Sequence, residues 1–228
     1  PKFCDELECV VRKIDRKDNQ MSKRIIIAGS GFAGLWAALA AQREIHLASQ
    51  EQNIEVVMVS PSPNVDIRPR LYEAVLENMY PDISELLSVV DVKYVAGWVT
   101  EIDAAAQNLV ITTTQGDKQT LSYDRFILAT GSTTFMPPIP GLTEYGFSVS
   151  TLEDAEKLDQ HLKNLAHKPA NAARNTVVVA GGGLTGLETV TEMPERLRSI
   201  LGETDVRVVL VDSSTEIGAA MGDQAASV

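Results

Sequence analysis

Cysteine, aromatic residues and basic charge are all scarce in this chain of 228 residues. The two cysteines, Cys4 and Cys9, are too few for a disulfide framework, which favours a reducing, cytoplasmic setting. Aromatic residues make up 5%, so stacking platforms for single-stranded nucleic acid are not expected. Acidic residues number 31 against 20 basic ones, and the net charge of −11 argues against nucleic acid as a partner.

Long apolar runs are also missing. The longest mostly apolar run, residues 35–41, is far too short to span a membrane, and the polar first residues do not resemble a leader peptide. The chain opens on Pro1, whereas Met21 leads directly into an apolar run. Residues 1–20 are therefore interpreted as an upstream extension or tag, for which disorder is one expectation. No metal site is predicted.

A glycine-rich motif occurs twice. Residues 24–34 and 176–186 each contain a short apolar run followed by G-x-G-x-x-G. The first glycine makes the strand-to-helix turn, the second admits a pyrophosphate to the backbone, and the third allows close helix packing. The helix N-terminus adds N–H groups and a positive dipole end. The cofactor-binding residues predicted from the motifs are Gly29, Gly31, Phe32, Ala33, Gly34, Gly181, Gly183 and Gly186.

Each motif lies in a predicted β-α-β unit, the context that makes it specific, although a single copy could be an ordinary glycine turn. The predicted elements are Ile25–Ala28, a helix over 31–49, Glu55–Val59, Thr176–Ala180, a helix over 184–201, and Val206–Val211. Apolar runs of this kind are typical of parallel strands that are buried on both faces. The sequence therefore predicts an α/β fold with tandem Rossmann-like domains.

The intervening residues predict further elements. Helix is expected over Tyr72–Val89, in two pieces broken at Pro81, followed by a small antiparallel meander of short strands. A buried strand, Arg125–Ala129, comes next, and a helix over 151–167 has Thr151 as its N-cap. The stiff connector Pro137–Gly141 is taken as the boundary between a first domain, 21–140, and a second domain, 141–228.

The residue that ends the second strand differs between the two units. Asp212 follows Gly181 by 31 residues, and Ser60 follows Gly29 by 31 residues. A carboxylate at this position can bind both ribose hydroxyls. Asp212 therefore favours NADH over NADPH, whose 2′-phosphate it would repel, unless it only initiates a loop. Ser60 can form only a weaker hydrogen bond to a ribose.

These features resemble the two-dinucleotide-binding flavoproteins. The two motifs, the segment Leu128–Ser132 and the run 181–188 carry the resemblance, which covers about residues 23–228. The family includes pyridine nucleotide-disulfide reductases, type II NADH dehydrogenases and apoptosis-inducing-factor-like oxidoreductases. The resemblance implies FAD in the first domain and NAD(P)H in the second.

The resemblance also implies individual cofactor contacts. It places Ser60 near the adenosine ribose, Arg68 and Pro69 beside the flavin, Val99 at the adenine through its backbone, Ala129, Thr130 and Gly131 near FAD, and Glu188 near the nicotinamide. Plainer alternatives are a solvated loop charge for Arg68, strand core for Val99 and a surface position for Glu188. No catalytic acid or base is assigned, because the flavin carries the redox chemistry.

The resemblance departs from the disulfide branch of the family. Residues 35–49 lack the C-x-x-x-x-C pair of that branch, and Cys4 and Cys9 have the spacing but precede the first strand. We therefore predict an FAD-dependent oxidoreductase that passes hydride from NADH to FAD and then electrons to a quinone-like acceptor, with oxygen or a protein carrier as other acceptors. The alternatives are a nucleotide-binding redox-sensing module and a catalytically incompetent fragment.

The last expectation concerns length. In the family, a segment after the NADH domain completes the FAD domain and precedes an interface domain, whereas this sequence stops inside its second unit. We expect an N-terminal fragment of a protein nearly twice as long, with any membrane association depending on the missing part. The expected location is cytoplasmic or membrane-peripheral, and the resemblance leaves a homodimer open.

Overall fold

The computed structural model describes residues 23–202, 205–214 and 217–218. The prediction for residues 1–20 therefore lies outside the described residues. The described chain forms two compact units. Unit 1 contains residues 23–66 and 80–133, and unit 2 contains residues 67–79 and those from 134 onward.

Unit 1 is built on a sheet with helices beside it. Its elements are β1 (Lys23–Ala28), α1 (Phe32–Leu47), β2 (Ile54–Ser60), α2 (Ser84–Val89), β3 (Val92–Asp103), β4 (Asn108–Thr113), β5 (Lys118–Ser122) and β6 (Arg125–Leu128). The strand order is β5-β4-β3-β2-β1-β6. Strands β3, β2, β1 and β6 are parallel, whereas β3, β4 and β5 form the antiparallel meander.

Strand β1 is apolar and buried over its last four residues, 25–28, because this part of the strand faces a core on both sides. Ile25 and Ile27 pack in a buried cluster that includes residues of α1. Ile26 instead packs in a second cluster with Leu109 and Ile111 of β4. Successive side chains of a strand point to opposite faces, so α1 covers one face of the sheet and the meander covers the other.

Unit 2 repeats the β-α-β arrangement with fewer strands among the described residues. Its elements are α3 (Leu142–Tyr145), α4 (Leu152–Leu165), β7 (Thr176–Ala180), α5 (Leu184–Leu201) and β8 (Arg207–Val211). Strands β7 and β8 are parallel, and α4 and α5 share a core that contains Leu162 and Leu197. The predicted cap of α4 is confirmed, because the Thr151 hydroxyl accepts a 3.2 Å hydrogen bond from the Asp154 N–H.

The prediction of helix over Tyr72–Val89 is wrong for most of that stretch. Only α2 at its end is α-helical, and a short 3-10 turn, Arg68–Arg70, precedes it. The N–H of Ile67 donates to the carbonyl oxygen of Met79 at 2.9 Å. Met79 also belongs to a buried cluster within unit 2. These tertiary contacts hold residues 67–79 as a closed loop and override their helix propensity.

The strands of the meander and the division into units have the following bounds. The meander, for which short strands are predicted, begins with a strand of 12 residues, β3, whose register with β4 shifts between Val99 and Glu101. The boundary between the units falls at residue 134, ahead of the proline-rich connector, and residues 67–79 group with unit 2. The assignment of cofactors to residues 21–140 and 141–228 stays a prediction.

None of the described helices combines the length and the apolar character required to cross a membrane.

Candidate dinucleotide-binding sites

The two glycine motifs begin with the same backbone turn. Gly29 and Gly181 both have a φ of 109°, a conformation that favours glycine. The N–H of Gly29 donates to the carbonyl oxygen of Val59 at 2.8 Å, and the N–H of Gly181 donates to that of Val211 at 2.8 Å. An equivalent hydrogen bond therefore ties each turn to the end of the neighbouring parallel strand.

The remaining glycines of each motif have different surroundings. A Cβ atom at Gly31 or Gly183 would have nothing within 4 Å, so space is open where α1 and α5 begin. A Cβ atom at Gly34 or Gly186 would collide with the carbonyl oxygen of the first glycine of its own motif. The second glycine thus leaves open space at the helix N-terminus, and the third allows the helix to pack closely on the glycine turn. Both features fit a pyrophosphate bound at the helix N-terminus.

The first motif lies beside the end of β6. The N–H of Ala129 donates to the carbonyl oxygen of Ala28 at 2.8 Å, and a Cβ atom at Gly29 would collide with the Ala129 carbonyl and lie 3.2 Å from the Thr130 nitrogen. Gly131 follows with a φ of 75°. The structure therefore brings the predicted residues 129–131 against the first glycine turn at the carboxyl ends of the parallel strands.

The helix that follows the first motif begins with an exposed aromatic residue. Phe32 is 47% exposed, and Ala33, the next residue of α1, is also exposed. Both lie at the helix N-terminus, as the motif predicts. Their contacts with a cofactor stay a prediction.

Val99 has an ordinary place in the strand. Its side chain packs against the buried cluster of Ile26, Val57 and Ile111, which supports the plainer interpretation as strand core for that side chain. The predicted contact of the Val99 backbone with adenine stays a prediction.

Arg68 and Pro69 belong to unit 2, not to the unit that carries the first motif. Half-buried Arg68 donates from Nε to the carbonyl oxygen of Ser150 at 2.8 Å, while Pro69 is exposed. Arg70 instead binds both carboxylate oxygens of Glu73 at 2.7 Å. Arg68 is therefore fixed to the backbone rather than freely solvated, and its contact with flavin stays a prediction.

Asp212 is directed at the second glycine motif. Its Oδ2 accepts a hydrogen bond from the N–H of Gly182. Its Oδ1 accepts from the hydroxyl of Ser214 at 2.5 Å and from the Ser214 N–H at 2.7 Å. The bonds from Ser214, followed by that from Gly182, lower the pKa of Asp212 to about 2. An ionised carboxylate here fits an unphosphorylated ribose, and the Ser214 bonds also fit the loop-initiating role.

Glu188 lies exposed on α5, in the turn after the third glycine. Desolvation, followed by the negative charges of Glu188, Glu73 and Glu192, raises the pKa of Tyr72. Glu188 and Tyr72 therefore interact electrostatically within unit 2. Exposure is compatible with both the surface interpretation and the predicted approach to nicotinamide.

Sequence reasoning missed Ser30, which stands between two glycines of the first motif. Its hydroxyl lies 2.9 Å from the hydroxyl of Ser60, and the two residues are only 6% and 5% exposed. The available signal was a hydroxyl residue at a motif position that glycine occupies in the second copy. Ser60 is the last residue of β2, as the sequence predicted.

No group of three or more histidine, cysteine, aspartate or glutamate side chains in the described part of the chain is placed to hold a metal ion.

Comparison with known proteins decides the family. The family described as pyridine nucleotide-disulphide oxidoreductase matches residues 23–228. The chain belongs to the pyridine nucleotide-disulphide oxidoreductase family. This result confirms the resemblance and the Rossmann-like α/β fold that the motifs predicted. Proteins of the family are NAD(P)H oxidoreductases that bind FAD and NADH, which confirms the predicted enzyme class and cofactor classes.

Individual relatives agree with this membership. An NADH dehydrogenase-like protein of Mycobacterium tuberculosis is 44% identical over 203 residues, which are 87% of this chain and 50% of that protein. Demethylphylloquinone reductase of Synechocystis is 34% identical over 201 residues, which are 85% of this chain and 47% of that protein. This chain therefore spans about half the length of the curated relatives it matches.

A solved structure shows the same fold. The structure of NDH2 from Plasmodium falciparum in complex with NADH matches with a TM-score of 0.74 at 18% identity. The match covers 91% of this chain and 45% of that one. At this identity the likeness establishes the architecture and nothing further about the site.

The residues present fit the cofactors of the pyridine nucleotide-disulphide oxidoreductase family to different extents. Gly31 and Gly183 leave equivalent open space for a dinucleotide diphosphate. Only unit 2 adds a carboxylate, Asp212, at the ribose position. Helix α1 carries no cysteine, so the C-x-x-x-x-C pair of the disulfide reductases is absent from this helix.

Proposed function

We propose that this chain is the dinucleotide-binding part of an NADH dehydrogenase, with FAD bound by unit 1 and NADH bound by unit 2. The observation that carries the proposal is the repeated glycine turn, in which Gly29 and Gly181 share one conformation and one hydrogen-bond partner position. Two such turns in a single chain supply two diphosphate sites. Two bound dinucleotides provide the reactants for hydride transfer.

The role of the protein in this reaction is binding and orientation. The bound flavin would accept hydride from NADH and pass electrons to a further acceptor. The chain supplies backbone N–H groups at the starts of α1 and α5, where the positive ends of the helix dipoles favour diphosphates. Holding both reactants in a fixed geometry removes much of the entropic barrier of their encounter. No side chain has to act as an acid or a base.

NADH rather than NADPH is the proposed donor. Asp212 is ionised at neutral pH and is held at the end of β8 by Gly182 and Ser214. A carboxylate in this position accepts hydrogen bonds from the 2′- and 3′-hydroxyls of a ribose and repels a 2′-phosphate. The electrostatics of unit 2 therefore select against the phosphorylated cofactor.

A quinone is the proposed electron acceptor. The relatives include a demethylphylloquinone reductase of Synechocystis and a type II NADH:quinone oxidoreductase of Staphylococcus haemolyticus, the latter 24% identical over 213 residues. Membrane quinones are lipid-soluble, so the whole protein would act at the surface of a membrane. Oxygen and protein carriers are the competing acceptors.

The test uses the full-length protein under anaerobic conditions. We expect a bound-flavin absorbance spectrum that NADH bleaches at least tenfold faster than NADPH at equal concentration, a difference of about 1.4 kcal/mol. A short-chain quinone should then restore the spectrum faster than oxygen. Purified protein that neither contains nor takes up flavin would contradict the proposal. NADH binding without bleaching would instead support the redox-sensing module.

A further inference from the structure

Two pairs of residues occupy equivalent positions in the two units and differ in chemistry. Each residue of the first motif corresponds to the residue 152 positions later, so Ser30 matches Gly182 and Ser60 matches Asp212. The members of each pair lie against each other. The Ser30 and Ser60 hydroxyls are 2.9 Å apart, and the Gly182 N–H donates to Oδ2 of Asp212.

The second pair leaves little room for a side chain on its motif residue. A Cβ atom at Gly182 would lie 3.0 Å from Oδ2, 3.1 Å from Cγ and 3.2 Å from Cβ of Asp212. A side chain at position 182 would therefore push the Asp212 side chain aside by a few tenths of an ångström. Unit 1 has the opposite arrangement, in which Ser30 carries the extra side chain and the strand ends in the short Ser60. The two positions are coupled by size.

The hydroxyl groups of the first pair are directed into the protein. Oγ of Ser30 lies 2.7 Å from the carbonyl oxygen of Asn64 and 3.1 Å from that of Ser62. Since a serine hydroxyl has one proton, Ser30 donates to one of these carbonyls and accepts from Ser60. The proton of Ser60 is thereby used within the pair, and the Tyr94 hydroxyl donates to the Ser60 carbonyl oxygen at 2.7 Å.

This bonding has a consequence for a ligand. The serine pair is almost completely buried, and it offers no negative charge. Its hydrogen bonds instead close the loop 60–64 against the first motif. In unit 2 the same positions present an ionised carboxylate. The two units thus place very different groups where a dinucleotide ribose is expected.

We propose that Ser30 and Ser60 form a specificity-determining pair, through which unit 1 binds an adenosine diphosphate group without selecting for the ribose 2′-hydroxyl. The Gly182–Asp212 pair gives unit 2 that selectivity. This inference rests on the proposed function, because it takes both units as dinucleotide sites. It adds that the identity of the pair, rather than the glycine turn, decides how strictly each unit recognises the ribose.

The test compares ribose recognition in full-length protein. The apoprotein is titrated with FAD and with an FAD analogue that contains 2′-deoxyadenosine, and flavin fluorescence gives the dissociation constants. We expect the wild-type constants to agree within about threefold, because the Ser30–Ser60 pair carries no charge that could bind the missing hydroxyl. The double variant S30G/S60D should disfavour the deoxy analogue by about tenfold or more, as expected for a hydrogen bond to a charged acceptor.

The single variants test the coupling within the pair. S60D alone places a carboxylate against the Ser30 side chain, and S30G alone removes the bonds to the Ser62 and Asn64 carbonyls. Both should bind FAD more weakly than S30G/S60D. Simple additivity of the two changes would contradict the coupling.

Unit 2 provides the matched control. Wild-type protein should disfavour 2′-deoxyadenosine NADH by about tenfold in KM, and D212S should abolish that preference without changing FAD binding. Two results would overturn this inference and leave the proposed function standing. One is a strong preference of the wild-type protein for FAD over its 2′-deoxyadenosine analogue, and the other is an S30G/S60D protein that binds FAD without gaining such a preference. The first result comes from wild-type protein and does not depend on the folding of a variant. Failure of the wild type to bind FAD at all would overturn the proposed function, and the inference with it.

Discussion

Arg196 and Asp159 form an ion pair inside unit 2. Nη2 of Arg196 lies 2.9 Å from Oδ1 of Asp159, and only 4% and 18% of the two side chains are exposed. Nη1 of Arg196 also lies 3.5 Å from the carbonyl oxygen of Glu73. Burial opposes ionisation of Asp159, but hydrogen bonds from Lys163 and Arg196 outweigh it and lower its pKa. The pair joins α4, α5 and the 67–79 loop.

Replacement of Arg196 by methionine should destabilise unit 2. The change keeps much of the apolar stem but leaves the partly buried Asp159 without its inner partner. We expect the free energy of unfolding to fall by about 3 kcal/mol, the lower end for a broken buried pair because Lys163 remains. Urea-induced unfolding of the full-length protein measures the change.

Lys163→Met is the matched control for that experiment. Lys163 binds the other oxygen of Asp159 at 2.6 Å, but 63% of its side chain is exposed. Loss of an exposed partner should cost less than about 1 kcal/mol. Equal losses for the two variants would show that burial of Arg196 does not set the strength of the pair.

Alanine substitutions at the second and third glycines of the first motif should have different effects, one on FAD binding and the other on stability. Gly31→Ala projects a methyl group into open space, so we expect loss of bound FAD with a change in unfolding free energy below about 1 kcal/mol. Gly34→Ala forces a methyl group against the Gly29 carbonyl and should destabilise unit 1 by at least about 2 kcal/mol. Flavin content and urea unfolding give the two readouts. Retention of FAD by a stable Gly31→Ala protein would contradict the proposed diphosphate site.

The repeated β-α-β units could be predicted from sequence because local signals agree there. Apolar runs, glycine turns and helix-forming segments all indicate the same boundaries, and α5 begins and ends at the predicted residues. For residues 72–89, in contrast, the predicted helix is wrong over most of its length. Their helix-forming composition is overridden when Leu71 and Met79 pack in one buried cluster with Ala155, a contact between residues far apart in the chain.

The candidate sites show the same limit. The places of the motif glycines and of Asp212 at the strand ends could be predicted because spacing fixes them relative to the strands. The pairing of Ser30 with Ser60 could not, because it depends on the path of residues 62–64, whose carbonyls accept the Ser30 hydroxyl. Sequence patterns predict regular helices and strands, whereas these hydrogen bonds depend on the path of one irregular loop.

Asp212→Asn should reduce the preference for NADH. The substitution keeps the shape of the side chain but removes the charge that is proposed to bind the ribose and to repel a 2′-phosphate. We expect the KM for NADH to rise about tenfold, as for loss of a hydrogen bond to a charged group, and the KM for NADPH to change less or to fall. Steady-state kinetics with both cofactors measures the ratio.

Asp205→Asn controls for the change in net charge, because Asp205 is an exposed residue of unit 2 that precedes β8. It should leave both KM values unchanged. An equal effect of the two variants would mean that Asp212 acts through the overall field and not through contact with the ribose.

The low pKa of Asp212 sets the pH range in which the carboxylate contributes to stability. Hydrogen bonds from Ser214 and Gly182 lower its pKa from 3.8 to about 2. A carboxyl group with a lowered pKa stabilises the folded state above its ordinary pKa, and that contribution is lost as the pH falls through the folded-state value. The difference in unfolding free energy between wild type and Asp212→Asn should therefore be constant above about pH 5 and shrink between about pH 4 and pH 2.

Urea unfolding at a series of pH values measures this difference, and the KM for NADH should show no titration of Asp212 between about pH 5 and pH 8. Ser214→Ala provides the matched test, because it removes the hydroxyl that donates to Oδ1 at 2.5 Å and keeps the Ser214 N–H. Its loss should raise the pKa of Asp212 and move the acid-induced decline to higher pH. An unchanged acid profile in Ser214→Ala would mean that this hydroxyl does not hold the carboxylate in its ionised form.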